Sequence, residues 1–307
     1  MYAYVIRRIL WALPVLIGIT FTIHTVLSLT PGDPVRIMLG ETATEAQLAA
    51  ARAEIGLDRP FFARYVHYVS NLLQGDFGQS YRNRRAVIDE IADAMPATAK
   101  LALAAMVLII VMGIPSGIAS AVHKGTWFDG LLTTVALVGL SMPVFWIGLI
   151  FIYVFGFHWP VLPIGGMRDG FASYVLPSIT LALNSYAMIS RLTRSSVLET
   201  LGEDYIRTAR AKGLGSRVVL WKHALKAAFI PIVTVIGLQF GLLMGGAVLT
   251  ETVFAWPGIG RLMVDAIMTR DLLVVQGSVV VLALVFVTVN LLVDLAYSVL
   301  DPRIRYS

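Results

Sequence analysis

A short charged stretch of this chain runs from Glu203 to Gly215 and has the sequence EDYIRTARAKGLG. It is short, it has the patterning of a helix, and it lies in a charge-rich segment between two long apolar runs. Carboxylates and cations at such spacing form ion pairs and contact partner surfaces. We therefore expect this stretch to face water and to be the point at which a partner acts on the rest of the chain.

Motifs for catalysis or cofactor binding are absent from the sequence. There is no GxxxxGK[S/T] phosphate loop, so the chain is not expected to bind ATP itself, and there is no HExxH or GxSxG motif. The five histidines lack zinc-ligand spacing, and the absence of cysteine excludes disulfides, thiol catalysis and iron–sulfur ligation. A membrane-embedded hydrolase would have only His24 and Asp294 as acid–base groups. We expect no enzyme activity, and no cofactor or metal on this chain.

The composition is that of an integral membrane protein. Of the 307 residues, 57% are hydrophobic and 14% are charged, whereas soluble domains have about 25% charged residues. Several uncharged runs exceed about 18 residues and are continuously apolar, which predicts spanning helices and excludes a barrel. The net charge of +5 arises from basic residues in loops, so no nucleic-acid partner is expected.

Six apolar runs predict six transmembrane helices, several of them interrupted by proline. A signal peptide is the alternative for the first run, but no small-x-small cleavage site follows Leu29, so an uncleaved helix is expected. The predicted spans cover residues 9–32, 101–122, 130–155, 170–190, 227–250 and 272–300.

The region 35–99 has its own helical patterning. Thr44 and Gln47 form a capping-box signature, Gly56 closes that segment, and Pro60 opens a second one. A third short segment covers 87–95. These pieces are too small for an independent core, so we expect them to lie on the membrane surface or to cap the bundle.

The positive-inside rule gives the orientation. Placing both termini in the cytoplasm puts nearly all Lys and Arg of the short loops inside, including those of 191–226. The expected organisation is an N-terminal tail and first span at 1–30, an extracytoplasmic helical region at 31–99, and a transmembrane core at 100–307 with a cytoplasmic loop at 195–226.

Helical periodicity describes the charged stretch in more detail. Leu198, Leu201, Tyr205 and Ala209 are predicted to form one apolar stripe, and Glu203 is predicted to pair with the residue four positions later, Arg207. Gly213 is a suitable terminator. Such a helix is about 15 Å long and cannot span the bilayer. Periodicity fits an interfacial helix that supports the bundle and a docking helix equally well.

The stretch from Asp204 to Gly213, followed by Ala224-Leu225 and Pro231, resembles the cytoplasmic "EAA" loop of ABC importer permeases. Arg207 stands where that loop usually has glutamate, a departure often seen in the peptide and nickel branch. Other segments also resemble that branch over essentially the whole chain, and the chain looks like the first permease of a dipeptide or oligopeptide importer. These segments are TPGDP at 30–34, GDFGQS at 75–80, ETVFAWPGIG at 251–260 and LDPRIR at 300–305.

The resemblance implies a type I ABC importer permease fold and a set of partners. These are a second homologous permease, two cytoplasmic ATPases that bind ATP and Mg²⁺, and an extracytoplasmic substrate-binding protein, all working in a lipid bilayer. Leu201, Tyr205, Ile206 and Ala209 would fill the ATPase groove, and the cations would fix the register. The implied coupling helix comprises Leu201, Glu203, Asp204, Tyr205, Ile206, Arg207, Thr208, Ala209, Arg210, Ala211, Lys212 and Gly213.

Small and polar residues in the spans suggest a helix seam or a translocation path. Gly237, Gly241 and Gly245 follow one another at four-residue spacing, which suits either tight packing within this chain or the seam with a second permease. Gln239 and Asn184 are the polar residues assigned to the same path. The alternative function is an ion-coupled secondary transporter or channel that works without an ATPase.

Overall fold

The computed structural model describes residues 2–29, 34–40, 43–54 and 56–300. All regular elements in these ranges are helical, apart from an isolated antiparallel bridge between Gln79 and Ala86, so the prediction of an all-α chain is confirmed. The predicted end of the first span at 30–33 and the tail from residue 301 onward lie outside the described residues.

The helices follow one another along the described residues. Those before residue 160 are α1 Tyr2–Leu29, α2 Pro34–Leu39, α3 Glu45–Glu54, α4 Phe61–Leu73, α5 Val87–Leu108, α6 Ile114–Val122, α7 Trp127–Ser141 and α8 Val144–Phe151. Those after it are α9 Ala172–Gly202, α10 Asp204–Ala211, α11 Ser216–Val218, α12 Leu225–Val253, α13 Ile259–Met268 and α14 Leu272–Leu300. Three π-helical segments adjoin them, at Ile109–Gly113, Ile152–His158 and Val219–Ala224.

Apolar helices of membrane-spanning length agree with most of the predicted spans. In the described part of the chain, four helical stretches are long and apolar enough to cross a membrane, and a fifth is formed if the pair α7 and α8, bent by 105°, counts as one span. The remaining predicted span lies in α9, which is 31 residues long but buries many Ser and Thr side chains. A helix surrounded by other helices tolerates such residues, because they do not face lipid.

The described residues divide into two compact units. One comprises residues 2–98 and 257–287, and the other comprises 99–256 together with 288–300. In the first unit, Val87 and Ile91 pack with Ile259 and Val274 in one buried cluster. The C-terminal part of the region 35–99, from Phe77 to Met95, therefore shares a core with 257–287. Val35, Leu48 and Ala51 form a separate small cluster.

The prediction of a short helix at 87–95 is wrong about where the helix ends. These residues are the beginning of α5, which continues to Leu108 through Pro96, so the boundary placed at 99/100 falls inside a helix. Charged residues near Asp93 and Lys100 end the apolar run in the sequence. They do not end the helix, because Ala94, Ala97 and Leu101 continue its buried face.

Thr98 holds the beginning of α13 within the first unit. Its Oγ1 accepts a hydrogen bond from the backbone N–H of Ile259 at 2.9 Å, and both residues are buried. Ile259 is the first residue of α13, where N–H groups have no partner within the helix.

We expect Thr98→Val to lower the free energy of unfolding by about 1–3 kcal/mol, because it leaves the buried N–H of Ile259 without an acceptor. Urea titration of the purified chain in detergent micelles measures this. Thr25→Val is the control, since the Thr25 hydroxyl only donates to the Phe21 carbonyl of its own helix. Equal stabilities of the two variants would contradict the capping role.

Helix α9 is the central element of the second unit, where it contacts α6, α7, α8 and α12. Small residues permit these close contacts. A Cβ added to Gly117 of α6 would lie 2.5 Å from the carbonyl oxygen of Ser190, and one added to Gly139 of α7 would lie 3.3 Å from that of Leu183. The helix leads at its C-terminal end directly to the charged stretch identified in the sequence.

Candidate coupling surface

The charged stretch forms a separate short helix, α10, whose limits follow from local sequence. Glu203 adopts an extended backbone with ψ 150°, which ends α9 and starts α10 at Asp204. Gly213 has φ +82°, a conformation that suits glycine, and its N–H donates to the Arg210 carbonyl at 2.9 Å. The predicted helix and its glycine terminator are confirmed.

Two buried side chains of α10 pack against other segments of the chain. Ile206 and Ala209 are 0% and 7% exposed, and they pack with Val219, Ala224 and Leu201 in a small apolar cluster. Spacing of three residues places both on one face of the helix. This cluster therefore places α10 in direct contact with the end of α9 and with the π-helical segment that precedes α12.

The predicted apolar stripe is wrong, because the chain turns at Glu203 and the two helices do not share one face. Tyr205 is 45% exposed, whereas its neighbour Ile206 is fully buried. Since Ile206 and Ala209 are covered by this chain's own residues, they are not available to fill a groove on an ATPase. That part of the expectation is corrected.

The predicted ion pair also differs. Arg207 pairs with Asp204, one helical turn away, with an Nη1–Oδ1 distance of 3.2 Å, and not with Glu203. The extended backbone of Glu203 takes its side chain off the helical register that a pairing four residues apart requires.

The remaining side chains of α10 and its C-terminal turn point to solvent. We call this surface the exposed face; it comprises Asp204, Tyr205, Arg207, Thr208, Arg210, Ala211 and Lys212. Partial burial, together with the nearby Glu203 carboxylate, raises the pKa of the Tyr205 hydroxyl. The exposed face thus combines an aromatic ring with several cations.

A hydrogen-bond network around Asp129 joins α9 to α6 and to the beginning of α7. Arg194 of α9 donates from Nε and Nη2 to the two carboxylate oxygens of Asp129 at 2.9 and 2.8 Å. The Ser120 hydroxyl and the Gly125 N–H donate to the same carboxylate. This bidentate pair raises the pKa of Arg194 and joins α9 to the turn between α6 and α7.

Sequence reasoning missed this pair because 65 residues separate its members and no local pattern connects them. It also missed two exposed apolar side chains that follow α10, Leu214 at 39% and Val218 at 44%. Their four-residue spacing in a charged segment is a signal that could have identified them.

The residues assigned to a seam or path occupy different environments. A Cβ on Gly237 would lie 2.6 Å from Val293 of α14, so Gly237 serves packing within the chain. Gly241 is buried, whereas Gly245 is exposed, and no atom of the described residues lies within 4 Å of a Cβ added there. Gln239 is buried, and its amide nitrogen contacts the Met188 sulfur at 3.1 Å. Met188 lies on α9, one helical turn after the exposed Asn184. The structure therefore does not bring all five residues to one surface.

Family models match nearly the whole sequence. Residues 113–306 match the family described as binding-protein-dependent transport system inner membrane component. Residues 1–102 match the N-terminal region of such membrane components.

Relatives of similar length are transport permeases. The chain is 43% identical over 333 residues to the dipeptide transport system permease protein DppB of Alkalihalophilus pseudofirmus, with 100% of both chains covered. It is 42% identical over 306 residues to the glutathione transport system permease protein GsiC of Escherichia coli K12, again with 100% of both covered. These names agree with the prediction of a transport subunit that is not an enzyme.

Solved structures share the fold at low sequence identity. The MetNI methionine ABC transporter in an inward-facing conformation gives a TM-score of 0.59 at 15% identity, over 70% of this chain and 97% of that one. An amino acid ABC transporter with histidines gives 0.53 at 15% identity, over 70% and 94%. With the family matches, this shows that the chain belongs to the binding-protein-dependent transport system inner membrane components and is a permease subunit of an ABC importer in a bacterial plasma membrane.

Proposed function

We propose that this permease imports short peptides and is the first of two permeases in its importer. The observation that carries the proposal is the identity of 42–43% over the full length to permeases named for dipeptides and for glutathione. Peptides of this size have a polar backbone and two charged ends, so they need a path through the bilayer that excludes lipid.

We propose further that the chain crosses the membrane six times, with both termini in the cytoplasm. The helices suited to spanning, the bent pair α7 and α8, and the long helix α9 would supply the six crossings. The Lys and Arg residues of the loop 195–226 support its cytoplasmic position. The division into 1–30, 31–99 and 100–307 then describes topology, with 31–99 outside the cell.

The exposed face of α10 would dock on a cytoplasmic ATPase. Its cations and Tyr205 suit a groove with acidic and apolar walls, while Ile206 and Ala209 keep the helix joined to α9. Two ATPase subunits would bind ATP and Mg²⁺, and their closure would move α10 together with the bundle. Leu201 would support the buried face of α10, and Gly213 would form the turn that ends this helix.

A second, homologous permease would complete the translocation path. Asn184 and Gly245 are exposed in this chain and would face that partner or the path. The buried Gln239 would fix the side chain of Met188, which lies one helical turn after Asn184 on α9. Gly237 and Gly241 would support this helix by packing within the chain. An extracytoplasmic binding protein would deliver the peptide on the side of 31–99.

Uptake of a radiolabelled dipeptide tests this function. Cells lacking other peptide importers, but expressing the chain with its partner subunits, should accumulate dialanine, and excess unlabelled dipeptide should compete far better than free alanine. A catalytically inactive ATPase partner is the control and should abolish uptake. Uptake that survives this control and disappears with a proton uncoupler would favour the ion-coupled alternative, and competition by alanine alone would refute the peptide assignment.

A further inference from the structure

A polar cavity of about 650 Å³ lies in the unit formed by residues 2–98 and 257–287. Its walls come from α1, the end of α3 with the turn 56–59, α4, the segment 76–84 and the beginning of α14. Cavities of about 300–1,000 Å³ accommodate small molecules. None of its lining residues belongs to the coupling surface or to the residues assigned to the path.

The lining of this cavity is strongly basic. Arg52, Arg59, Arg64 and Arg84 line it, whereas Asp76 is the single carboxylate among the described lining residues. One oxygen of Asp76 already accepts a hydrogen bond from the Gly78 N–H at 2.8 Å. A concave surface with an excess of one charge concentrates its field and attracts ions of the opposite sign.

Two buried donor atoms in the same wall have no hydrogen-bond partner among the described residues. They are Nε of Arg64 and the hydroxyl of Tyr68, which lie one helical turn apart on α4. Burial raises the pKa of Tyr68, with a further contribution from Tyr65, so its hydroxyl keeps its proton. Because buried polar groups are normally hydrogen-bonded, these donors point to a ligand that supplies acceptor atoms.

One oxygen of the neighbouring Asp271 carboxylate is occupied by other groups, whereas its Oδ1 is buried without a hydrogen-bond partner among the described residues. Asp271 is not among the lining residues, and its Oδ2 accepts from the Ser80 hydroxyl at 2.5 Å and from the Arg82 N–H at 3.3 Å. Burial and this carboxylate raise the pKa of Tyr81 to about 12. Tyr81 therefore lines the cavity as a neutral phenol, which places no negative charge against an incoming anion.

Apolar side chains cover another part of the cavity wall. Leu27, Leu57, Phe77, Leu272 and Leu273 all line it. A bare inorganic ion would leave this surface without a contact, whereas an organic molecule with an apolar portion would cover it.

We propose that this cavity binds a small organic anion whose carboxylate or phosphate accepts hydrogen bonds from Arg64 and Tyr68. Its apolar portion contacts Leu272 and Leu273. The planar guanidinium of arginine matches both oxyanions by paired hydrogen bonds, which the point charge of lysine does not. This site does not depend on the identity of the cargo.

Calorimetric titration tests the site in the whole importer, purified with its partner subunits in phosphatidylcholine nanodiscs. The probes are N-acetyl-leucine, its uncharged amide, isopentyl phosphate and inorganic phosphate. We expect the organic acid or the organic phosphate to bind at least about tenfold more tightly than the amide. We expect Arg64→Gln to weaken that binding at least about tenfold and Tyr68→Phe to weaken it by about threefold or more.

The matched control is Arg85→Gln, because Arg85 is exposed, pairs with Asp93 at 2.9 Å and does not line the cavity. This variant should bind the organic anion with the parental affinity. If Arg64→Gln fails to assemble, Arg84→Gln at the exposed rim should show the same loss. Equal binding of acid and amide, binding unaffected by both cavity variants, or no binding of either organic anion would overturn the proposal. Loss of acid binding in nanodiscs that contain phosphatidylglycerol would assign the site to a lipid headgroup and would also overturn it.

Discussion

Tyr205→Asp is expected to reduce ATP-dependent uptake at least about tenfold without changing the amount of chain in the membrane. Tyr205 is 45% exposed in this chain, so a carboxylate is tolerated there before assembly. In a docked interface the same carboxylate would be an unpaired buried charge, which costs several kcal/mol. Since about 1.4 kcal/mol is a tenfold change in an equilibrium constant, a large fraction of coupling would be lost.

Three measurements make this test specific: uptake, ATP hydrolysis by the assembled importer, and co-purification of the ATPase. Tyr205→Phe is the matched control and should behave like the parental chain, because it keeps the aromatic ring. Ile206→Asp should instead lower the amount of folded chain, since Ile206 is 0% exposed in the chain's own core. Parental uptake and ATPase retention in Tyr205→Asp would refute the docking role of the exposed face.

Gly117→Ala is expected to lower the free energy of unfolding of the chain by about 1–3 kcal/mol, because it overpacks a contact between helix backbones. An added Cβ would lie 2.5 Å from both the Ser190 carbonyl oxygen and the Thr193 Cβ. The carbonyl belongs to α9 and cannot move away like the end of a flexible side chain. The predicted change therefore includes separation of α6 from α9.

Gly130→Ala is the matched control for this substitution. Gly130 lies in α7 and is exposed, and in the described part of the chain nothing lies within 4 Å of a Cβ added there. Alanine has the higher helix propensity, so this variant should be unchanged or more stable by up to about 1 kcal/mol. Urea titrations of the two purified variants in the same detergent decide the matter. A Gly117→Ala variant as stable as Gly130→Ala would show that the two helices are not in close contact.

Local features of the fold follow from the sequence, because they depend on residues a few positions apart. The capping box is confirmed, with the Thr44 N–H donating to Gln47 at 2.9 Å, and so is the left-handed turn at Gly213. Long apolar runs likewise indicate spanning helices, since the bilayer imposes a minimum length. The number of six spans and the orientation of the termini remain predictions.

Contacts between distant segments could not be predicted in the same way. The bidentate pair of Asp129 and Arg194, and the cavity with Arg64 and Tyr68 in its wall, join residues that no sequence periodicity relates. The end of α5 could not be predicted for a related reason. Charged residues end the apolar run in the sequence, but buried contacts with other segments continue the helix to Leu108.

Apolar runs, charge spacing and motifs were enough to predict a helical membrane protein with a short charged helix between two apolar segments, and to identify the permease family. The face of that helix that is free became known from the packing of the folded chain. Periodicity placed Tyr205 and Ala209 on one stripe, but burial of a residue depends on what other elements cover it. Val219 and Ala224 cover Ile206 and Ala209, so the side chains left for a partner are Tyr205 and the cations.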